Sequence, residues 1–241
     1  EISELPKIDA VILSHDHYQG GHYEFAMAKA VSDWTFKLCG FPDVQCSVVK
    51  WPMSVIRIQS KYSIILAEAA SYILSKWKDY SDEELEIISR TDGEPHNTIT
   101  PIARKNGDLF ELDLVLRNNR TNDEHPFGIF HPHNDVHHIK KENIGLIEVM
   151  GVAVLPSRLK YELEDVEKFI LGQTEMVAEC HLDWATMLKE RYRTVVNQKN
   201  VIEIVRDEVG KKFLKALADA GVFKRNDKGK AGFKRFISSL N

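Results

Sequence analysis

A short segment near the start of the chain carries groups that can act on phosphorus or hold a metal. The apolar run over positions 10–13 predicts a buried strand, and Ser14, His15, His17 and Gln19 follow it. Because side chains alternate across a strand, we expect the two imidazoles and the amide to share one face. A neutral imidazole can attack phosphorus while neighbouring groups hold the phosphate oxygens, whereas His-x-His can also bind a metal. The pattern predicts an active site and leaves both chemistries open.

The residues around this strand resemble known families. The opening is similar to the metallo-β-lactamase motif His-x-His-x-Asp-His, but Gln19 and Gly20 stand where that motif needs Asp and His. His-x-His-x-Gln instead resembles the active-site strand of galactose-1-phosphate uridylyltransferases, within the histidine-triad superfamily. Further segments are similar to the second, mainly bacterial, family of these enzymes, the UDP-glucose–hexose-1-phosphate uridylyltransferases. They span residues 18–30, 51–54, 96–104, 111–121 and 137–151.

The resemblance implies uridylyl transfer between UDP-glucose and galactose 1-phosphate, by a ping-pong mechanism through a uridylyl-histidine. Residue by residue, His17 is the attacking group, His15 orients the site or joins a metal shell, and Gln19 and Ser14 bond phosphoryl oxygens. The implied ligands are UDP-glucose or UDP-galactose and a hexose 1-phosphate, and the implied assembly is a homodimer. Members of the family are much longer, with this strand near their middle. We therefore expect the chain to correspond to a C-terminal half, with much of the uridine pocket in the other half.

A predicted hairpin carries a second group of candidate binding residues. His96 and Asn97 open its first strand, and Arg104 ends that strand. An arginine fork matches a phosphate, so Arg104, Arg117 and Arg120 could hold one, although surface salt bridges are an equally good use of each. We predict that His96, Asn97 and Arg104 bind substrate.

The densest histidine cluster of the chain spans positions 131–138 and is followed by lysines. Two lysines by themselves are usually a solvated face, but the family resemblance makes this segment a candidate site, and cations beside imidazoles suit phosphates. We therefore predict that His138, Lys140, Lys141 and Asn143 bind substrate. One alternative is a metal-dependent hydrolase that uses this cluster with the His-x-His pair. Another is a folded domain that binds sugar nucleotide weakly, or not at all, without its partner half.

Metal binding is left open by the sequence. The resemblance makes zinc a candidate cofactor with His15 in its shell, and no residue is assigned as a metal ligand. In the better-known first family, iron is bound by histidines on the strand that corresponds to Glu111–Arg117. Leucines and an Asp occupy that strand here, so we expect no iron site.

Composition narrows the classes of protein. A chain of 241 residues can form one large domain or two small ones, and a net charge of −4 gives no reason to expect nucleic-acid binding. The three cysteines, Cys39, Cys46 and Cys180, form no CxxC pair and fit a reducing cytoplasm. We recognise no signal peptide and expect no membrane association.

Hydrophobic periodicity and turn residues predict an α+β fold, in which helices cover one face of an antiparallel sheet and the C-terminal third is helical. A hairpin is expected around Asn106-Gly107, and one or two strands within 46–58 are interrupted by Pro52. Helices are expected over 25–33, 63–80 and 157–171, and a further short helix begins at 81. Two or three helices are expected within 174–240. The segment 144–154 fits either a strand or a helix. The expected domains are a histidine-triad-like catalytic region over 1–156 and a helical region over 157–241 that packs on the same domain.

Overall fold

A computed structural model describes residues 19–241, which form an α+β fold. The predicted strand over positions 10–14, together with Ser14, His15 and His17, lies outside the described residues. The roles assigned to these three side chains therefore stay predictions. Gln19 is the first residue that the structure describes.

An antiparallel sheet forms the centre of the fold. The strands in the described part of the chain are β1 Ser32–Phe36, β2 Gln45–Val49, β3 Val55–Ser60, β4 Arg90–Thr91, β5 Glu94–Pro95, β6 Asn97–Asn106 and β7 Leu109–Asn118. The main sheet has five strands in the order β1-β2-β3-β7-β6, and β4 pairs with β5 separately. All of these neighbours are antiparallel, which confirms the predicted sheet.

Tight turns join two of the strand pairs. β6 and β7 pair from Asn97 with Asn118 to Asn106 with Leu109, so the hairpin predicted around Asn106-Gly107 is confirmed. Gly107 has a φ of 58°, a conformation that glycine adopts without steric cost. Between β4 and β5, Asp92 and Gly93 have φ values of 52° and 87°. Positive φ at both central residues is typical of the type I′ hairpin turn.

Helices occupy much of the remaining chain. Those over residues 19–241 are α1 Ala26–Lys29, α2 Ser63–Lys78, α3 Leu146–Val149, α4 Leu159–Ile170, α5 Leu182–Tyr192, α6 Val201–Ala220 and α7 Asp227–Ser239. The helices predicted over 63–80, over 157–171 and within 174–240 are confirmed. No helix in this part of the chain combines the length and the apolar character that crossing a membrane requires.

Three segments differ from the sequence prediction or resolve it. The helix predicted over 25–33 is limited to α1, and β1 begins at Ser32 because its aromatic and β-branched residues pair with β2. The helix predicted from position 81 is a single 3-10 turn, Glu83–Leu85, and Glu86 ends it with a φ of 60°. The segment 144–154, for which strand and helix were both open, contains one helical turn, α3.

The two faces of β7 separate core from polar groups. Leu112, Leu114 and Leu116 pack into the main core, which includes Trp77 of α2 and Phe236 of α7. Fully burying one such apolar side chain contributes about 1.5–3 kcal/mol. The residues between these leucines point to the opposite face of the sheet, because side chains alternate along a strand.

Contacts divide the chain into two compact units. The first unit extends to His131 and adds Asn143–Val152 and Leu217–Asn241. The second unit consists of Pro132–Glu142 and Ala153–Ala216. The predicted domains, 1–156 and 157–241, stay a prediction, and the observed units differ from them at 132–142, 153–156 and 217–241.

Candidate functional site

The segment that follows the predicted active-site strand is open. Gln19 is exposed and belongs to no helix or strand. A Cβ atom built on Gly20 or Gly21 meets nothing within 4 Å among the described atoms. Among the described residues nothing blocks a close approach to this backbone, and binding of a ligand at the Gly-Gly pair stays a prediction.

Three of the sequence segments that carry the family resemblance meet in the first unit. The backbone N–H of Met27 donates to the carbonyl of Met150 at 3.2 Å. The indole of Trp51 donates to the carbonyl of Val149 at 2.9 Å. Gly151 has a φ of 103°, and a Cβ there would stand 3.0 Å from the Trp51 ring. The chain just after the predicted motif is thus packed against the 143–152 segment.

A buried network of charges lies on the polar face of the sheet. Asp113 is fully buried, and its carboxylate oxygens accept from Nε of Arg57 at 2.7 Å and from Nη2 of Arg57 at 2.8 Å. Arg104 also donates to Asp113, and its Nε lies 2.5 Å from Oε1 of Glu111. Burial lowers the pKa of Arg57, but the hydrogen bond and charge of Asp113, with the charge of Glu111, outweigh it, so that this pKa is raised. The described partners of Arg104 are carboxylates, and its contact with phosphate stays a prediction.

The Arg57 guanidinium also holds the segment that follows the motif. Its Nη1 donates to the carbonyl of Ala30 at 3.1 Å, and its Nη2 donates to the carbonyl of Met27 at 2.8 Å. Met27 lies within α1 and Ala30 directly follows this helix, 8 and 11 residues beyond Gln19. The charged network therefore positions the chain that leads away from the candidate nucleophile.

Asn97 serves as a link between the hairpin and α2. Its Nδ2 donates to the carbonyls of Trp77 at 2.7 Å and Tyr80 at 2.8 Å, and its Oδ1 accepts from Nδ2 of Asn118 at 2.7 Å. Both amide hydrogens are thus used within the protein, and Asn97 is buried. These contacts give the side chain a structural role, while its predicted contact with substrate stays untested.

Replacing Asn97 by alanine is expected to lower the free energy of unfolding by about 1–3 kcal/mol, because it leaves buried carbonyls without their donor. Urea unfolding followed by circular dichroism measures this change. Gln45→Ala, which truncates an exposed amide on β2, is the control and should change stability by less than about 0.5 kcal/mol. Equal stability of the two variants would contradict the structural role of Asn97.

His96, beside Asn97, has a ring nitrogen that makes no hydrogen bond with the described residues. Its ring is buried, and its Nε2 has no hydrogen-bond partner among the described atoms. Burial lowers the pKa of His96, the positive charge of Arg120 lowers it further, and Glu94 opposes both. A neutral imidazole with an unused nitrogen is chemically suited to the substrate contact predicted for it.

The second unit contains most of the predicted histidine–lysine segment. Nζ of Lys212 donates to the carbonyl of Asp135 at 2.7 Å, which ties the 132–142 loop to α6. Lys140 is buried, with its Nζ 3.8 Å from Oε2 of Glu142. The predicted contact of Lys140 with a substrate phosphate stays a prediction.

The predicted site residues are divided between the two units. Gln19, His96, Asn97, Arg104 and Asn143 belong to the first unit, and His138, Lys140 and Lys141 belong to the second. The histidine cluster is divided as well, since His131 falls in the first unit. The structure thus describes each set within its own unit, and the roles assigned to these side chains stay predictions.

A chain of hydrogen-bonded polar groups in the second unit was not predicted. Nδ1 of His138 lies 2.8 Å from Nδ1 of His181, and Nε2 of His181 lies 2.9 Å from Oε2 of Glu162. Nη1 of Arg158 donates to the same carboxylate oxygen at 2.5 Å. The sequence contains no local pattern for this set, because Glu162 and His181 lie 19 positions apart on different elements.

These contacts lower the pKa values of two of the hydrogen-bonded groups, His138 and Glu162. Burial, followed by the positive charges of Lys212, His181 and Arg158, lowers the pKa of His138 to about 4. Burial raises the pKa of Glu162, but hydrogen bonds from His181 and Arg158 outweigh it and lower the pKa overall. Near neutral pH the structure therefore holds a neutral His138 and an ionised Glu162.

Acidification is expected to destabilise the protein through His138. Its pKa is about 4 when folded and about 6.5 in an unfolded chain, so the unfolded state binds more protons between these values. Above about pH 6.5 neither state binds this proton, so the free energy of unfolding has its full value. Below this pH the unfolded state is protonated first, and the free energy of unfolding falls by about 1–2 kcal/mol at pH 5. Urea unfolding midpoints from pH 7.5 to 5, in buffer with a chelator, measure this. His138→Gln should flatten the slope, and a slope that is unchanged in this variant would contradict the assignment.

The described residues define an α+β protein with an exposed Gln-Gly-Gly segment and an antiparallel sheet that carries a charged face. The family model described as "Galactose-1-phosphate uridyl transferase, C-terminal domain" matches residues 5–186. The chain belongs to this family. The match includes the His-x-His-x-Gln motif at positions 15–19, and its description agrees with the expected C-terminal half.

Curated relatives carry the same name. The chain is 54% identical over 246 residues to "Galactose-1-phosphate uridylyltransferase" of Halalkalibacterium halodurans, covering 99% of the chain and 48% of the relative. It is 50% identical over 238 residues to the protein so named in Ligilactobacillus salivarius, with the same coverage. It is 51% identical to "Galactose-1-phosphate uridylyltransferase 1" of Streptococcus pneumoniae serotype 4. The chain spans about half the length of these relatives. No solved structure matches it.

The hydrolase alternative is not supported by these relatives, which are all named as transferases. Nor do the described contacts of the histidine cluster form a shared set of metal ligands. Nε2 of His137 lies 2.7 Å from the carbonyl of Pro132, and Nδ1 of His138 contacts His181.

Proposed function

We propose that this chain supplies the nucleophile of a UDP-glucose–hexose-1-phosphate uridylyltransferase that works in galactose metabolism. The observation that carries the proposal is the motif at positions 15–19 in a chain of the uridyl transferase family. An imidazole nitrogen of His17 forms a bond to the α-phosphorus of UDP-glucose, and the bond from phosphorus to the oxygen of glucose 1-phosphate breaks. A phosphate oxygen of galactose 1-phosphate then attacks the same phosphorus. The P–N bond breaks, UDP-galactose leaves, and His17 is restored.

The remaining site residues are proposed to bind and orient these phosphates. Gln19 donates from its amide to a phosphoryl oxygen, which the exposed position of its side chain permits. His15 orients the attacking imidazole, and Ser14 supplies a hydroxyl donor. Support for this arrangement comes from Arg57, which holds the backbone that follows the motif at two carbonyls.

Substrate contacts are proposed for each unit separately. In the first unit His96 offers a ring nitrogen without a described partner. In the second unit Lys140 and Lys141 offer positive charge for a phosphate. We further propose a cytoplasmic homodimer that binds UDP-glucose, UDP-galactose and hexose 1-phosphate. Light scattering on the purified protein tests the dimer. Zinc analysis of His15→Ala against unchanged His15, both in a Cys180→Ser background, tests the zinc that the resemblance leaves open.

Intact-protein mass spectrometry after incubation with UDP-glucose tests the proposed reaction. We expect a mass gain of one uridylyl group, which is lost in His17→Ala and retained in His22→Ala, whose imidazole is exposed in the same segment. The experiment is done on this chain and on the longer protein that the relatives represent. An adduct on the longer protein alone would mean that the chain needs its partner half. Absence of an adduct on both would refute the covalent mechanism.

A further inference from the structure

Three side chains of the second unit offer ligand atoms for one metal ion. Glu162 on α4, Cys180 and His181 bring a carboxylate oxygen, a thiol sulfur and an imidazole nitrogen within 4.8 Å of one another. Two ligands of one Zn²⁺ ion stand about 3–4 Å apart, given bonds of about 2.0–2.3 Å. Cys180 is exposed, so its thiol can rotate to close the remaining distance. We propose that these residues form a Zn²⁺ site, independent of the proposed uridylyl transfer.

The donor set favours zinc over harder cations. A thiolate, an imidazole and a carboxylate are the three ligand types that Zn²⁺ takes in proteins, whereas Mg²⁺ and Ca²⁺ prefer oxygen ligands alone. His181 is fully buried, while Cys180 is exposed. The fourth position of the tetrahedron therefore faces solvent and takes water, as in zinc sites with three protein ligands.

The surroundings of His181 hold its ring in the orientation that a ligand needs. Nε2 faces Glu162 at 2.9 Å, and Nδ1 faces Nδ1 of His138 at 2.8 Å. When Nε2 binds the metal, Nδ1 carries the hydrogen and donates it to His138, the kind of contact that fixes metal-binding histidines. The Trp184 ring packs against both imidazoles, with centroids 5.1 Å from His138 and 6.0 Å from His181.

Arg158 sets a limit on the affinity of the site. Its Nη1 shares Oε2 of Glu162 with His181, so the metal takes the other carboxylate oxygen. The guanidinium and the nearby Lys212 ammonium repel a divalent cation, while the carboxylate and a Cys180 thiolate together supply two negative charges. The charge balance therefore favours binding once the thiol has lost its proton.

Cobalt titration of the whole chain tests the site, because Co²⁺ replaces Zn²⁺ and its thiolate bond absorbs in the near ultraviolet. We expect one equivalent of Co²⁺ to give this band together with visible bands of a tetrahedral ion, and Zn²⁺ to abolish both. Cys180→Ser should remove the near-ultraviolet band and weaken Zn²⁺ binding at least about tenfold. Cys39→Ser, which alters another exposed cysteine, should leave the band unchanged.

Further outcomes keep the proposal separate from the uridylyl transfer. Glu162→Gln preserves side-chain volume and should weaken Zn²⁺ binding while the near-ultraviolet band remains at higher cobalt concentration. A band that persists in Cys180→Ser, or no band in the unmodified chain, would overturn the site. Cobalt bound by His15 and His17 alone gives no thiolate band, and uridylyl adduct formation is measured independently of either result.

Discussion

Asp113→Ala is expected to lower the free energy of unfolding by about 3–5 kcal/mol, the cost of removing one partner from a buried ion pair. Asp113 has no exposed surface and accepts from both Arg57 and Arg104. Without its carboxylate, the Arg57 guanidinium remains buried with Glu111 as its nearest charge, at 3.6 Å from Nε. In the unchanged protein the ion pair with Asp113 offsets the cost of taking the Arg57 guanidinium out of water. In Asp113→Ala this cost is no longer offset and lowers the stability of the fold.

A matched control separates this effect from the loss of any ion pair. Asp165 pairs with Lys168 at 3.0 Å, but both side chains are more than half exposed. Asp165→Ala should therefore change the free energy of unfolding by about 0–1 kcal/mol. Urea unfolding of both variants gives the comparison. A cost below about 1 kcal/mol for Asp113→Ala would show that the charged network does not stabilise the sheet.

The same network connects stability to the proposed reaction. Arg57 contacts Asp113 on one side and the carbonyls of Met27 and Ala30 on the other. Loss of Asp113 therefore also loosens the support of the backbone that follows Gln19. We expect the rate of uridylyl adduct formation in Asp113→Ala to fall even at temperatures where the variant is folded. A small displacement of the reacting groups from their aligned positions is enough to slow the reaction.

Local sequence signals were sufficient for much of the sheet and the helices. Asn106-Gly107 identifies its hairpin because glycine alone adopts the required φ freely, and alternation of Leu112, Leu114 and Leu116 identifies the buried face of β7. β1 was missed, since Ser32–Phe36 follows a helical segment directly and its pairing with β2 decides its structure. The turn at Asp92-Gly93 was overlooked because β4 and β5 have only two residues each.

The candidate sites depend on contacts that no local pattern contains. Arg57 and Asp113 are 56 positions apart and meet through the register of β3 with β7. His138 and His181 are 43 positions apart and meet through the packing of a loop against the start of α5. Only the tertiary structure brings together residues so far apart in sequence. The residue types therefore suggested phosphate binding, but they could not show which arginines and lysines already pair with carboxylates. The motif at positions 15–19 was recognisable for the opposite reason, since its groups follow one another on a single predicted strand.

His17→Ala is expected to lower the turnover of uridylyl transfer by about 10⁶-fold, the scale on which removal of a catalytic nucleophile acts in enzymes with covalent intermediates. This corresponds to about 8 kcal/mol of barrier. Gln19→Ala should lower turnover by only about 10²–10³-fold, because it removes one donor to a phosphoryl oxygen and leaves the nucleophile in place. The two variants thus separate attack on phosphorus from stabilisation of the charge that develops there.

Isotope exchange shows whether His17 carries the uridylyl group or only assists a direct transfer. In a ping-pong reaction, labelled glucose 1-phosphate enters UDP-glucose without any galactose 1-phosphate, since the first half-reaction reverses from the uridylyl-histidine. We expect this exchange in the uridylyltransferase proposed above, and its loss in His17→Ala. Exchange that requires galactose 1-phosphate would instead indicate direct transfer between two bound sugar phosphates. In that case a large effect of His17→Ala would assign the imidazole to binding or proton transfer, because no covalent intermediate would lie on the path.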